Sequence, residues 1–287
     1  MQGNRWVPML VGLVAVVGLM FYGCQEGPFG RHRVVTMSPK DEAQLGAQAF
    51  REVLQKEGRK VLPDNEPIVQ RVRSIGMRLA KASEDPALRK AIHLPDMTFQ
   101  WEFKVVESNQ VNAFCLPGGK VVVYTGIIPV CKTDAGLATV MGHEIGHALA
   151  RHGAERMAQQ QMMQVGLTAA ATSLGDVSPQ QRQAILGMLG AGANVGILLP
   201  FSRSHESEAD HIGILLMAKA GYDPVEAVAF WQRMEQATAG GKAPPEFLST
   251  HPSHGRRIED LRRWVPDAEK FYQRSDKQRP RLLPPVR

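Results

Sequence analysis

Apolar side chains recur at three- and four-residue intervals from Asp41 to about Glu57, at Ala43, Leu45, Ala49, Phe50, Val53 and Leu54. That stripe predicts an amphipathic helix, opened by Ser38 and Asp41. A second helix is predicted from Pro67 to Ser83 on Ile68, Val69, Val72, Ile75, Leu79 and Ala80. From Thr98 to Glu107 the period changes to two, and Phe99, Trp101, Phe103 and Val105 share one face of a strand. Val111 to Leu116 and Lys120 to Thr125 read as two further strands around a Pro117-Gly118-Gly119 turn. Helical periodicity then returns from Asp134 to about Gln161, with Thr133 or Asp134 as N-cap. Later helices are predicted over Val225 to Gln236 and Ile258 to Trp264. The expected fold class is therefore α+β: mostly helical, with a small antiparallel sheet packed on the helix that begins at Asp134.

That helix carries the sharpest chemistry in the chain. His143-Glu144-Ile145-Gly146-His147 sits inside an otherwise apolar stretch. Residues four apart share a helix face, so His143 and His147 can grip one ion. Glu144 then lies where its carboxylate can reach a water on that ion, the HExxH arrangement of zinc hydrolases. Buried without a partner, two histidines and a glutamate would be costly. A tetrahedral catalytic site needs a third protein ligand. The metzincin position for a third His is Gly153, which excludes that class. On a continuous helix His152 points elsewhere. The segment Ser202-Arg203-Ser204-His205-Glu206-Ser207-Glu208-Ala209-Asp210 supplies the alternative, a glutamate from a later helix. Glu206 is the expected third ligand and Asp210, one turn on, the acceptor for the far nitrogen of a ligand His. Glu208 is expected to be solvated and His205 peripheral. Zn²⁺ is the expected cofactor, one per chain, with Glu144 as the general base.

With Asn112-Ala113-Phe114-Cys115-Leu116-Pro117-Gly118-Gly119 before them and Ser249-Thr250-His251-Pro252 to Leu261 after them, these motifs resemble the CAAX-prenyl-protease-like family of zinc endopeptidases. The resemblance spans about Asp41 to Pro266 and is nearest in layout to shorter single-domain members, among them bacterial lipoprotein peptidases and a mitochondrial inner-membrane protease. It implies a gluzincin-type peptidase fold and a substrate held as an extended strand along Asn112 to Leu116. It implies that His251 can occupy the open metal position and hold the enzyme latent. It also implies that Arg257 lies near the cleft, where Arg257 and Asn112 could contact substrate or a developing oxyanion. The expected partners are unfolded or extended polypeptides. A non-proteolytic alternative, a lipid-anchored chaperone with a latent site, is left open by the sequence.

The first 23 residues read as an export signal or anchor, with Arg5 before an apolar run from Val7 to Tyr22. Gly23-Cys24 ends that run and suggests lipidation of Cys24 after cleavage; an uncleaved anchor is the other reading. Either ties the chain to a membrane, and Gln25 after the cysteine points to the outer membrane of a cell envelope. The expected plan is a signal or anchor over 1–23, a linker over 24–40, the peptidase over 41–267 and a basic, proline-containing tail over 268–287. Residues 161–201, rich in Ala, Met, Gly and Leu, are expected to form two helices covering the cleft rather than a membrane hairpin. The formal charge of +6 is concentrated near the C-terminus, in a tail whose prolines predict solvated, irregular chain. Basic residues without interleaved aromatics give no nucleic-acid signature. Cys115 and Cys131 are read either as a pair or as two free thiols.

Overall fold

A computed structural model describes residues 6–173, 201–238, 246–251 and 255–286. Contacts divide the chain into two compact units: residues 1–38 with 153–199, and residues 39–152 with 200–287. The predicted cover over 161–201 lies largely outside the described residues; helix α7, introduced below, accounts for its first part.

In the first unit, helix α1 (Trp6–Gly23) has a mean hydropathy of 2.0 and is only 11% buried. Length and composition make it the one described helix able to cross a membrane. Two short antiparallel strands follow, β1 (Cys24–Glu26) and β2 (His32–Val34), where a linker was expected. Cys24 opens β1 with its thiol exposed. The Arg31 guanidinium grips both oxygens of Glu155, at 2.8 and 2.7 Å.

The second unit holds the remaining predicted elements. Helices α2 (Pro39–Glu57) and α3 (Pro67–Ser83) keep their predicted extents within two residues. The short helix α4 (Pro86–Ile92) follows, capped by the Asp85 carboxylate, which accepts from the Leu88 amide. Strands β3 (Glu102–Val106), β4 (Ala113–Leu116) and β5 (Lys120–Tyr124) form a sheet in the order β3-β5-β4. The hairpin about Pro117 is as predicted, and Gly118 and Gly119 take φ of +78° and +90°, which only glycine adopts freely. The sheet is mixed, not antiparallel: β5 inserts between the other two and runs parallel to β3, with Phe103 opposite Val121. Alternation sorts its side chains onto two covered faces. Phe103, Val105, Val121 and Val123 join the main core with α3, while Val106, Val122 and Tyr124 pack with Phe50 of α2. Among the described strands, β4 lies at one edge of this sheet.

The short helix α5 (Ile128–Cys131) leads into α6 (Asp134–Leu149), capped by Thr133 Oγ1, which accepts from the Gly136 amide. The predicted single helix to Gln161 is in fact two. Arg151 takes a left-handed φ of +56°, ending α6 and re-aiming the chain into α7 (His152–Ser173). Buried Arg151 is held there by Glu42, with Nε 2.8 Å from Oε2. Helix α8 (Arg203–Lys219) packs along α6, and α9 (Val225–Thr238), α10 (Glu246–Thr250) and α11 (Arg257–Tyr272) complete the unit. Helix α11 runs through Pro266, well beyond the predicted end at Trp264.

Beyond Tyr272 the tail is mostly exposed and irregular, as expected, but its backbone is tied to folded neighbours. The Gln278 amide donates to the Gly221 carbonyl at 2.8 Å, Arg281 accepts from Asp134 at 3.0 Å, and the Leu283 amide donates to Lys132 at 3.0 Å. Its prolines forbid a helix but suit an extended strap that satisfies its backbone against folded neighbours. Cys115 and Cys131 are free thiols, and burial pushes both upward in pKa.

Candidate metal centre

Close backbone contact between α6 and α8 builds the centre. A Cβ on Gly146 would sit 2.8 Å from the Ala209 carbonyl oxygen, and one on Gly213 would sit 2.9 Å from the His143 nitrogen. Only the absence of side chains at this crossing lets α8 bring its carboxylates to the histidines of α6. His143, Glu144 and His147 come from α6, Glu206 and Asp210 from α8, and His251 from the segment just after α10; all six are buried.

Donor atoms of His143, His147, Glu206 and His251 lie within 4.8 Å of one another. His143 Nε2 is 3.0 Å from His147 Nε2 and 3.5 Å from Glu206 Oε2, while His147 Nε2 is 3.4 Å from Glu206 Oε1. Ligands about 2.0–2.2 Å from a tetrahedral zinc stand about 3.3–3.6 Å apart; both histidine–Glu206 distances fall in that range, and the His143–His147 distance of 3.0 Å is slightly shorter. Among the described residues Oε1 of Glu206 and Nε2 of His251 have no hydrogen bond, and Oε2 of Glu206 has the Arg257 ion pair at 3.2 Å. Three buried carboxylates touch the cluster (Glu144, Glu206 and Asp210) against one guanidinium, Arg257. When all three are ionised the carboxylates outnumber the guanidinium, an excess that a divalent cation would cancel.

Hydrogen bonds set the tautomers. His143 Nδ1 is 2.8 Å from Asp210 Oδ1, so the proton sits on Nδ1 and the Nε2 lone pair faces the cluster. His251 Nδ1 is 3.1 Å from the Phe247 carbonyl, an acceptor only. The Thr250 hydroxyl also lies 2.9 Å from that nitrogen; with Nδ1 donating to Phe247, Nε2 of His251 is bare and stands 3.5 Å from Glu144 Oε1. Arg257 lies beneath, its Nε 2.7 Å from Asp210 Oδ2, its Nη1 3.2 Å from Glu206 Oε2, and its guanidinium 3.3 Å above the Trp231 ring. Asn112 turns its side-chain oxygen to the Ala113 amide at 2.9 Å, and its carbonyl accepts from Tyr124.

Burial dominates the electrostatics. It drives the Glu144 carboxyl well above the ordinary range, reinforced by the Glu206 charge; a hydrogen bond from the Cys115 backbone pulls the other way. Glu206 is raised by burial as well. His143 and His251 are pushed well down by burial, which keeps both imidazoles neutral. Neutral imidazoles are the form that binds metal.

Three sequence expectations fail here. His152 does not point away: the left-handed turn at Arg151 swings it back, and its Nδ1 lies 2.9 Å from His147 Nδ1. Glu208 is not solvated but buried, with Oε2 2.7 Å from His152 Nε2. His205 is buried too, stacked on His152 with ring centres 4.4 Å apart. The sequence signal for Glu208 was present: carboxylates at 206, 208 and 210 cannot all face water on a helix that is apolar immediately beyond them.

The sequence matches the profile of peptidase family M48 over residues 70–265. It is 37% identical to the mitochondrial metalloendopeptidase OMA1 of Schizosaccharomyces pombe, over 86% of this chain and 67% of that protein. It is 33% identical to the mitochondrial metalloendopeptidase OMA1 of Saccharomyces cerevisiae, over 91% of this chain and 76% of that protein. It is 30% identical to the beta-barrel assembly-enhancing protease of Escherichia coli, over 79% of this chain and 44% of that one. These matches overturn the expected cell-envelope, outer-membrane location, because the two yeast relatives that align with most of the chain are mitochondrial enzymes.

Proposed function

Because the chain belongs to peptidase family M48, we propose that it is a membrane-tethered zinc endopeptidase that cleaves unfolded or misassembled polypeptides. The observation that carries the zinc reading is the convergence of two bare Nε2 atoms and the Glu206 carboxylate at 3.0–3.5 Å, with Glu144 beside them. His143, His147 and Glu206 would hold the ion. Zinc bound there supplies Lewis-acid chemistry, acidifying water and polarising a peptide carbonyl.

The protein's own groups do the rest. Glu144 takes the proton of the attacking water and delivers it to the leaving amine; its raised pKa suits a group that must both accept and give. Asp210 fixes the His143 tautomer, and Arg257 holds Asp210 and Glu206 in place. That commitment favours a positioning role for Arg257 over contact with substrate. As an edge strand, β4 offers backbone groups to an extended peptide, with little demand on its sequence. The bare Nε2 of His251 is placed to compete for the open metal position. Helix α1, apolar and exposed, supports the tether.

Casein digestion tests the reading. The wild type should hydrolyse casein and lose that activity to a zinc chelator. Glu144→Gln should bind zinc normally and cleave nothing. Cleavage by the variant at the wild-type rate would remove Glu144 from the mechanism.

A further inference from the structure

We propose that Glu208 and His152 form a relay that fixes which nitrogen of His147 faces the metal. His147 uses both ring nitrogens: Nε2 lies inside the ligand cluster, and Nδ1 lies 2.9 Å from His152 Nδ1. The other nitrogen of His152 lies 2.7 Å from Glu208 Oε2. All three side chains are buried, so the protons in this chain are not exchanged for contacts with water.

With Glu208 ionised and His152 neutral, the protons take one arrangement. An ionised carboxylate only accepts, so His152 Nε2 must carry hydrogen and donate to Glu208. A neutral imidazole with hydrogen on Nε2 has a bare Nδ1, and that bare Nδ1 accepts. His147 Nδ1 must then be the donor. With its hydrogen committed there, His147 presents the Nε2 lone pair to the cluster. Asp210 achieves the same result for His143 in one step. The two ligand histidines therefore share one orientation logic, a carboxylate behind an Nδ1–H, with an extra imidazole inserted on the His147 side.

The fold holds the relay in register. His205 lies against the His152 ring at an interplanar angle of 22°, and Phe201 lies 4.1 Å from His147 between ring centres. The left-handed backbone at Arg151, pinned by Glu42, brings His152 round to face His147. Together these contacts make Glu208 and His152 positioning residues: neither belongs to the four-residue ligand cluster.

The inference rests on the zinc reading, and chelator competition separates the two. Zinc affinity and the melting temperature of zinc-free protein are measured for wild type, His152→Phe, Glu208→Leu and Glu208→Gln. His152→Phe and Glu208→Leu should bind zinc about 10- to 100-fold more weakly, the usual loss when an outer partner of a ligand His is removed. Glu208→Gln retains an acceptor oxygen for His152 and should recover most of that affinity. If His152→Phe does not fold, the Glu208 pair decides the matter alone. A pair that merely fills the core would lower the melting temperature and leave zinc affinity unchanged. That result, or equal affinity in Glu208→Leu and Glu208→Gln, would overturn the relay while the zinc reading stands. A wild type that binds no zinc would overturn both.

Discussion

Gly146→Ala adds one methyl group at the crossing of α6 and α8. The new Cβ would stand 2.8 Å from the Ala209 carbonyl oxygen and 3.3 Å from Ala209 Cα. Ordinary contact begins near 3.4 Å, so the helices must part by about 0.6 Å, at an overpacking cost of about 1–3 kcal/mol. Replacing glycine by alanine inside a helix returns about 1 kcal/mol of backbone propensity. The stability of the zinc-free protein should therefore fall by no more than about 2 kcal/mol. Zinc binding should suffer more. Glu206 and Asp210 ride on the displaced helix, and ligand distances tolerate only about 0.2 Å. If the ligand set carries the strain, about 1–3 kcal/mol corresponds to zinc binding about 5- to 150-fold weaker. Chelator competition measures the affinity, and thermal unfolding of the zinc-free protein measures the stability. Zinc affinity within twofold of wild type would refute the claim that this glycine sets the distance between the two ligand helices.

Other residues give sharper single outcomes. Asp210→Ala strips His143 of its Nδ1 acceptor and leaves the buried Arg257 with Glu206 as its remaining carboxylate partner at the centre. It should weaken zinc by about 10- to 100-fold and destabilise the fold by about 3–5 kcal/mol, read by competition and by urea unfolding; normal values of both would count against the assignment. His251→Ala should raise basal casein hydrolysis, and an unchanged rate would remove the latch. His211, stacked on Trp264, is pushed by burial from 6.5 to about 4, with Asp267 pulling weakly the other way. The unfolded chain thus takes up this proton first, so the stability His211 contributes is intact above about pH 6.5 and is lost as pH falls toward 4, on the order of 3 kcal/mol in all. His211→Leu should flatten the unfolding free energy of zinc-free protein across that window; an unaltered slope would refute the shift.

The clustering of His143, His147 and Glu206 was legible because it rests on local spacing. Two histidines four apart, and a glutamate and an aspartate four apart, declare shared helix faces whatever the tertiary structure. The break at Arg151 was not legible. Ala148, Leu149, Ala150 and Arg151 are all good helix formers, and the left-handed residue is held by Glu42 from far away in sequence. Missing that break hid the approach of His152 to His147 and, with it, the reason Glu208 is buried. The parallel pairing of β3 and β5 was equally hidden, since alternation marks a strand but not its direction. The tail was half legible: its charge and prolines announce exposed, irregular chain, but not the backbone donors and acceptors on Gly221, Lys132 and Asp134 that anchor it.

The most direct test of the zinc centre is a crystal structure of zinc-loaded protein with anomalous scattering recorded across the zinc edge. The account predicts one strong peak within about 2.2 Å of Nε2 of His143, Nε2 of His147 and the Glu206 carboxylate. A peak elsewhere, or ligation of His147 through Nδ1, would contradict it.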